Sequence, residues 1–187
     1  MGIWDFRFTK EQKEIVKWKK KVKSGEKDLM GADLRGTYLP NIDFQYRNLR
    51  NAKLVEASLW ESNFKDADLS EADISYAKLD MANFTDADLI YTNLKGTKAI
   101  GTEFENADLR GADLSEADLT QANFTGADLS GASFFDANLF HAQFFDAKLE
   151  GTTFGGSTDT GYAFGIECKI DYKIGTYVYT SLKNPNK

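Results

Sequence analysis

Large hydrophobic residues recur at every fifth position over most of this chain. From Leu29 to Phe154 the spacing defines 26 positions, and 25 of them hold Leu, Phe or Ile; the exception is Ala99. A period of five matches neither the 3.6 residues of a helical turn nor the two-residue alternation of a long strand. A chain that turns a corner every five residues would place each of these core positions inside.

The residues around each core position complete a five-residue repeat, whose positions we name small, polar, core, first turn and second turn. The small position holds Ala, Ser or Thr in 23 of 26 repeats, and the polar position holds Asp or Asn in 16 of 26. Lys27, Ile42 and Arg47 are the exceptions at the small position. Because a larger group would overpack the corner, Ile42 and Arg47 predict a locally looser coil.

A second period of 20 residues defines the coil. Six Phe core positions and seven Leu core positions each recur at this spacing, and 20 residues equal four repeats. The pattern therefore predicts a square solenoid in which each face stacks like residues on like. Ala99 predicts a thin spot in one of these columns. The expected core includes Leu29, Phe44, Phe64, Leu69, Phe84, Leu89, Phe104, Leu109, Phe124, Leu129 and Phe144.

The undiluted repeats Ala107-Asp108-Leu109, Ala112-Asp113-Leu114 and Ala117-Asp118-Leu119 resemble those of the pentapeptide-repeat family. The resemblance covers residues 27–156. It implies an all-β solenoid, a right-handed quadrilateral β-helix with four repeats per coil. At a strand spacing of about 4.8 Å, the 6.5 coils expected from 26 repeats would form a shaft roughly 31 Å long.

The two ends of the shaft are predicted to be capped, because open backbone edges invite aggregation. Residues 1–26 form the N-terminal cap, with an amphipathic helix over residues 9–24 laid on the first coil. Thr9 and Gln12 match a capping box, and Gly25 suits the end of the helix. The face expected against the coil carries Ile15, Trp18 and Val22.

The lysines of this helix allow two interpretations. They are solvated side chains of a cap, or they form a basic surface for a membrane or a nucleic acid; the short apolar stripe favours the cap. At the other end, residues 157–187 form the C-terminal cap. Alternating apolar residues over 166–174 predict a half-buried strand there.

The composition argues against most catalytic sites. The chain has 187 residues, enough for one domain, a net charge of −6, one Cys and one His. His141 is expected at an outward turn position and Cys168 on the apolar face of a strand, where an inert thiol is favoured over a nucleophile. We therefore expect no enzyme activity, no cofactor and no metal. Without a signal peptide or an apolar stretch long enough to span a bilayer, a cytoplasmic location is expected.

Aspartates also stack at the coil spacing, for example Asp68, Asp88, Asp108 and Asp128. Like charges directly opposite each other on neighbouring strands are destabilising. We expect these side chains to accept hydrogen bonds from turn backbone N–H groups, as Asp and Asn do in turns. A ladder of bound cations is the alternative, although the spacing matches no known ligand pattern.

The downstream shaft is acidic. Residues 101–147 contain nine acids and one base, Arg110. That is about one net charge per 1.4 Å, comparable with the one per ~1.7 Å of duplex DNA. Some members of the pentapeptide-repeat family resemble DNA in shape and charge and bind type II topoisomerases such as gyrase, and the resemblance implies that function as an alternative here. The residues that would form the DNA-like surface are Asp108, Asp113, Glu116, Asp118, Asp128 and Asp136.

Our leading functional prediction is a non-catalytic scaffold that binds another protein or serves a structural role. Three aromatic residues, Phe135, Phe140 and Phe145, occupy outward positions on successive corners of the last coil. They are covered by the C-terminal cap or form a homodimer contact, and matching apolar residues favour the cap. The expected partner is a protein, with no direct nucleic-acid or membrane binding, and the chain is a monomer or a homodimer. Other outward aromatics that would contact a partner are Trp60, Tyr76 and Tyr91.

Overall fold

A four-sided solenoid forms the body of the molecule. The computed structural model describes residues 9–160, 163–171 and 176–184. The chain winds as a right-handed quadrilateral β-helix, as the repeat predicts. Helix α1, Lys10–Lys23, precedes the coils, and strands β1, Ile166–Asp171, and β2, Thr176–Ser181, follow them.

Each corner of the solenoid is made by the same backbone conformation. All 26 second-turn residues, from Gly31 to Gly156 in steps of five, have a positive φ between 54° and 73°. Only nine of them are glycine, although residues other than glycine rarely adopt a positive φ. In each regular corner the N–H of the following small position donates to the core carbonyl and closes the turn, as Ala72 does to Leu69 at 3.0 Å. The chain therefore turns by about a right angle every five residues.

Successive coils are joined by short parallel ladders on all four faces. Polar positions pair with the residue 20 positions on, from Asp28 with Asn48 to Ser133 with Thr153. Within a ladder the core N–H donates to the polar-position carbonyl of the next coil, as Leu69 does to Asp88 at 2.7 Å. The second-turn N–H donates to the following first-turn carbonyl, as Glu71 does to Ile90 at 2.8 Å.

The core positions fill the interior of the shaft. All 24 of them from Leu29 to Phe144 have no exposed surface, including the eleven expected core residues, while Leu149 and Phe154 at the end are partly buried. The six Phe residues spaced by 20 form a continuous stack with centroid separations of 4.6–5.2 Å. Phe134 meets the rings of Phe124 and Phe144 edge-on and stacks on Phe154 at 5.2 Å. Both arrangements are favourable for aromatic rings.

Of the two large residues at small positions, Ile42 loosens its coil as predicted, whereas Arg47 keeps a closed turn, with its N–H 3.1 Å from the Phe44 carbonyl oxygen. The Ile42 N–H donates to Ser62 Oγ at 3.1 Å instead of closing its turn on Leu39, and the Ser62 hydroxyl donates to the Leu39 carbonyl. A hydroxyl from the next coil thus bridges the opened turn. Arg47 is half-buried, which lowers the pKa of its guanidinium, and it donates to the Val22 carbonyl at 3.0 Å. It fastens the end of α1 to the shaft.

Helix α1 covers the first coil. Thr9 is its N-cap, and the predicted capping box forms: Thr9 Oγ1 accepts from the Gln12 N–H at 3.2 Å, and Gln12 Oε1 accepts from the Thr9 N–H at 2.8 Å. Val22 is buried in the common core and Trp18 packs against that core. An ion pair between Arg35 and Glu11 adds a polar link to the shaft.

The coil ladder continues past residue 156, where we expected the solenoid to stop. Asn138 pairs with Asp159 and Gln143 with Phe164, each at a spacing of 21 instead of 20. One extra residue therefore widens the corner at Gly155–Ser157. The core position that follows this corner has no large hydrophobic residue, so the five-residue pattern does not reveal that the coil continues.

A β-hairpin completes the C-terminal end. Strand β1 lies within the predicted strand 166–174 and pairs antiparallel with β2, which the sequence pattern did not predict. The chain then returns to Asp146, whose N–H donates to the Leu182 carbonyl at 2.9 Å and whose carboxylate pairs with Lys183 at 3.0 Å. Residues 172–174, in the second half of the predicted strand, lie outside the described residues.

Removal of one ring from the interior stack should be costly. We expect Phe84→Ala to lower the free energy of unfolding by about 3–5 kcal/mol, because it opens a cavity and breaks two stacking contacts. Phe135→Ala is the matched control: this ring is half exposed, and its loss should cost about 1 kcal/mol. Chemical denaturation of the two variants measures both values, and equal losses would contradict the interior stack.

Candidate functional site

The polar positions carry a structural function. All 16 Asp and Asn residues at these positions accept a hydrogen bond on their side-chain oxygen from the backbone N–H two residues on, at 2.9–3.4 Å. For example, the Ser70 N–H donates to Asp68 Oδ1 at 3.0 Å. These bonds secure the first-turn residue of each corner. The hydrogen-bonding role predicted for the aspartate columns is therefore present.

One side of the shaft, the aspartate face, stacks seven polar positions: Asp28, Asn48, Asp68, Asp88, Asp108, Asp128 and Lys148. Basic groups interleave with its carboxylates. Arg110 pairs with Asp108 at 2.6 Å and Lys148 with Asp128 at 2.9 Å. The hydrogen bond to Asp108 raises the pKa of Arg110. Burial by itself would raise the pKa of Asp128, but hydrogen bonds from Ser130 and Lys148 outweigh it and lower that pKa.

The six acids expected to form a DNA-like surface are spread over the shaft. Asp108 and Asp128 lie on the aspartate face, while Asp113 and Asp118 lie on the next two faces. The other two acids, Glu116 and Asp136, share a corner. The register therefore does not gather the six into one patch.

Three of these six carboxylates make ion pairs within the described residues, since Glu116 also pairs with Lys95 at 3.0 Å. Asp136 accepts from the N–H of Ser157, and this hydrogen bond lowers the pKa of Asp136. The local charge is thus smaller than the sequence count of acids suggests.

The last coil lies against two of the three outward Phe residues. A Cβ built on Gly155 or Gly156 would come within 3.0 Å of the Phe135 ring, and one on Gly165 within 2.7 Å of Phe145. Cover is nevertheless incomplete, because Phe135 remains 50% exposed and Phe140 38% exposed. A homodimer contact at these rings stays a prediction.

Opposite the aspartate face lies a side of different character, which we call the lysine face. Its polar positions hold Tyr38, Ser58, Lys78, Lys98, Asp118 and Asn138. Lys78 and Lys98 are exposed and lie in register on adjacent coils. Sequence reasoning missed both lysines, although two Lys residues 20 apart at a position that mostly holds Asp or Asn were a detectable signal.

Large side chains flank the lysine pair at the corners of the coil. The Tyr76 ring extends over Gly96, where a Cβ would lie 2.5 Å from it, and Met81 extends over Gly101, where a Cβ would lie 2.8 Å from its sulfur. Both Tyr76 and Met81 are more than half exposed. A glycine one coil downstream therefore provides the room for each of these side chains.

Tyr91 has the same relation to Gly111 but lies half a coil away from Met81, at the diagonally opposite corner. It is 70% exposed. Trp60, another predicted contact residue, is only half-buried at the same edge as Met81.

The residues with catalytic or metal-binding potential are dispersed. His141 packs its ring 4.3 Å from that of Phe140. The side chain of Cys168 lies outside the described residues, so its prediction stays open. Within the described ranges no group of three or more His, Cys, Asp or Glu is arranged to hold a metal ion. Helix α1, the one helix described, is too short and too charged to cross a bilayer.

Comparison with known proteins identifies the family. The model of the pentapeptide-repeat family matches in eight copies, and the matched segments together span residues 48–151. This protein belongs to the pentapeptide-repeat family, whose members are in general non-catalytic structural modules. A search of curated proteins gives no match.

A solved structure shares this fold, and two others are similar to this chain in sequence. The trypsin-treated form of QnrB1, a plasmid-mediated fluoroquinolone resistance protein, superposes with a TM-score of 0.62 at 20% identity, over 73% of this chain and 76% of that chain. HetL of the cyanobacterium Nostoc sp. PCC 7120, a protein involved in heterocyst differentiation regulation, is 27% identical, with a TM-score of 0.35 and coverage of 74% and 68%. A thylakoid-lumen protein of Arabidopsis thaliana is 36% identical, with a TM-score of 0.36 and coverage of 53% and 61%.

Alanine at Gly96 should displace the Tyr76 ring. We expect Gly96→Ala to reduce the free energy of unfolding by about 1 kcal/mol for its left-handed backbone and by up to about 1 kcal/mol more for the displaced ring. Gly131→Ala isolates the backbone cost, since only backbone atoms 3.9 Å and more away surround it. In a Tyr76→Ala background the two substitutions should cost the same. If Gly96→Ala still costs more than Gly131→Ala in that background, the contact with the Tyr76 ring is contradicted.

Proposed function

We propose that this protein is a scaffold that binds another protein through its lysine face. The observation that carries the proposal is the distribution of exposed apolar side chains. Eight large ones lie within residues 27–156, and five of them are on the lysine face or at its two edges. Those five are Tyr38, Tyr76, Met81, Phe135 and Phe140.

A rigid support makes such a surface effective. The side chains stand on turn and polar positions whose backbone is held by ladder and turn hydrogen bonds, so binding orders little additional chain. Tyr and Met are also residue types enriched at protein interfaces. From Tyr38 to Phe140 the surface covers five coil spacings, about 24 Å along the shaft.

Site-specific photo-crosslinking tests this proposal. With p-benzoylphenylalanine in place of Met81, irradiation of cells that make the protein should yield a discrete covalent adduct with another protein. The same residue in place of Tyr91 is the matched control, because both residues occupy second-turn positions, extend over a glycine and are strongly exposed. The Tyr91 variant should lack that adduct. Identical adducts from both positions, or none from Met81, would refute the proposed surface.

A second candidate function is a DNA-like rod that binds a type II topoisomerase. The nine acids and one base of residues 101–147 favour it. The three ion pairs and the spread of the six acids over three faces weaken it. If it is correct, micromolar protein should change the supercoiling activity of gyrase, and Asp113→Asn together with Asp118→Asn should reduce the effect. An unchanged supercoiling assay across the titration would remove this candidate.

A further inference from the structure

Two lysines lie side by side in the middle of the lysine face. Lys78 and Lys98 pair directly across adjacent coils, whose backbones are about 4.8 Å apart. Like charges placed opposite each other in this way destabilise a sheet. Lys98 has a counter-ion in Asp80, at 3.7 Å, and its other ladder neighbour is the acid Asp118. Lys78 makes no ion pair with any described residue. Within the part of the chain that the structure describes, Lys78 therefore has a like-charge neighbour and no counter-ion of its own, and an external anion would supply one.

Apolar side chains border the lysine pair on both edges of the face. Tyr76 extends over Gly96 on one edge, and Met81 extends over Gly101 on the other. The polar and apolar groups thus alternate across the face within two coils. We call this set Tyr76, Lys78, Met81 and Lys98 the basic–apolar patch.

A third departure from the repeat lies directly beneath this patch. Ala99 is buried at the core position next to Lys98, in the column of Leu79 and Leu119. It is the one core position of the 26 without a large hydrophobic side chain. Positions that break local folding rules tend to coincide with functional sites, and here a like-charge pair, exposed apolar groups and a small core residue coincide.

We propose that the basic–apolar patch binds an acidic segment of another protein, with carboxylates on Lys78 and Lys98 and apolar side chains against Tyr76 and Met81. This inference rests on the proposed scaffold function and names the chemistry of its partner. Acidic residues three or four positions apart on a helix have Cβ atoms ~5–6 Å apart, close to the spacing of the two lysines. The acidic remainder of the shaft, net −11 over residues 27–156, would repel such a segment elsewhere.

A selection on the full-length protein tests the partner chemistry. Short random peptides displayed on phage are selected against the immobilised protein, and the enriched peptides are measured by fluorescence anisotropy. We expect them to be rich in Asp and Glu with at least one large apolar residue. K78E with K98E should weaken their binding by about tenfold or more, and added salt should weaken it further.

The matched control places the same charge change on other exposed lysines. K13E with K20E alters helix α1, at the end of the shaft, and should leave peptide affinity within about threefold. Met81→Ser should weaken binding without altering the acidic preference. Circular dichroism establishes that each variant is folded. Single K78E is the second variant: it converts the like-charge pair with Lys98 into an opposite-charge pair, so it is expected to fold and should also weaken peptide binding.

Several results would overturn the inference. Peptides without an acidic excess, or equal losses from the two lysine pairs, would show that the patch does not select carboxylates. Competition by a DNA or RNA oligonucleotide, or self-association abolished by K78E with K98E, would assign the lysines to a different occupant. A Met81 crosslink that survives K78E with K98E would leave the scaffold function standing and remove only this partner chemistry.

Discussion

The structure depends on one repeated constraint: the chain must turn a corner every five residues. Each corner needs a residue with positive φ, and 17 of the 26 corners use a residue other than glycine, at an intrinsic cost of about 1–2 kcal/mol each. The corner is maintained because three bonds converge on it. The turn closes on the core carbonyl, the second-turn N–H joins the next coil, and the Asp or Asn side chain holds the first-turn N–H.

That constraint also explains where chemistry is available on this protein. Core positions and most small positions point inward and are buried, so mainly the polar and turn positions face a partner. Most polar positions are committed to their own turns through hydrogen bonds, and most acids of the aspartate face have basic neighbours. A surface that differs must therefore depart from the repeat, as the lysine face does at Lys78 and Lys98.

The departures differ in their consequences. Ile42 opens its turn, but the Ser62 hydroxyl bridges the opening. Arg47 keeps its turn closed and holds the end of α1 through the Val22 carbonyl, so both residues serve the fold. Around Lys78, Lys98 and Ala99 the compensation is confined to Lys98, which lies 3.7 Å from Asp80 and pairs across the ladder with Asp118. The exceptions with the least structural compensation coincide with the surface that we propose for a partner.

The repeat in the sequence by itself determined the solenoid, its four faces, its core and the helix that caps it, because each of these follows from local spacing: a core residue every five, a coil every 20 and a capping box at Thr9. The continuation to Phe164 escaped prediction, since one inserted residue shifts the period and the core residue is lost. The candidate site escaped it as well. Tyr76, Lys78, Met81 and Lys98 form one patch only through the stacking of coils, and whether a carboxylate is paired depends on which side chains the register brings beside it. Those contacts join residues about 20 apart in the chain, and only the tertiary structure decided them.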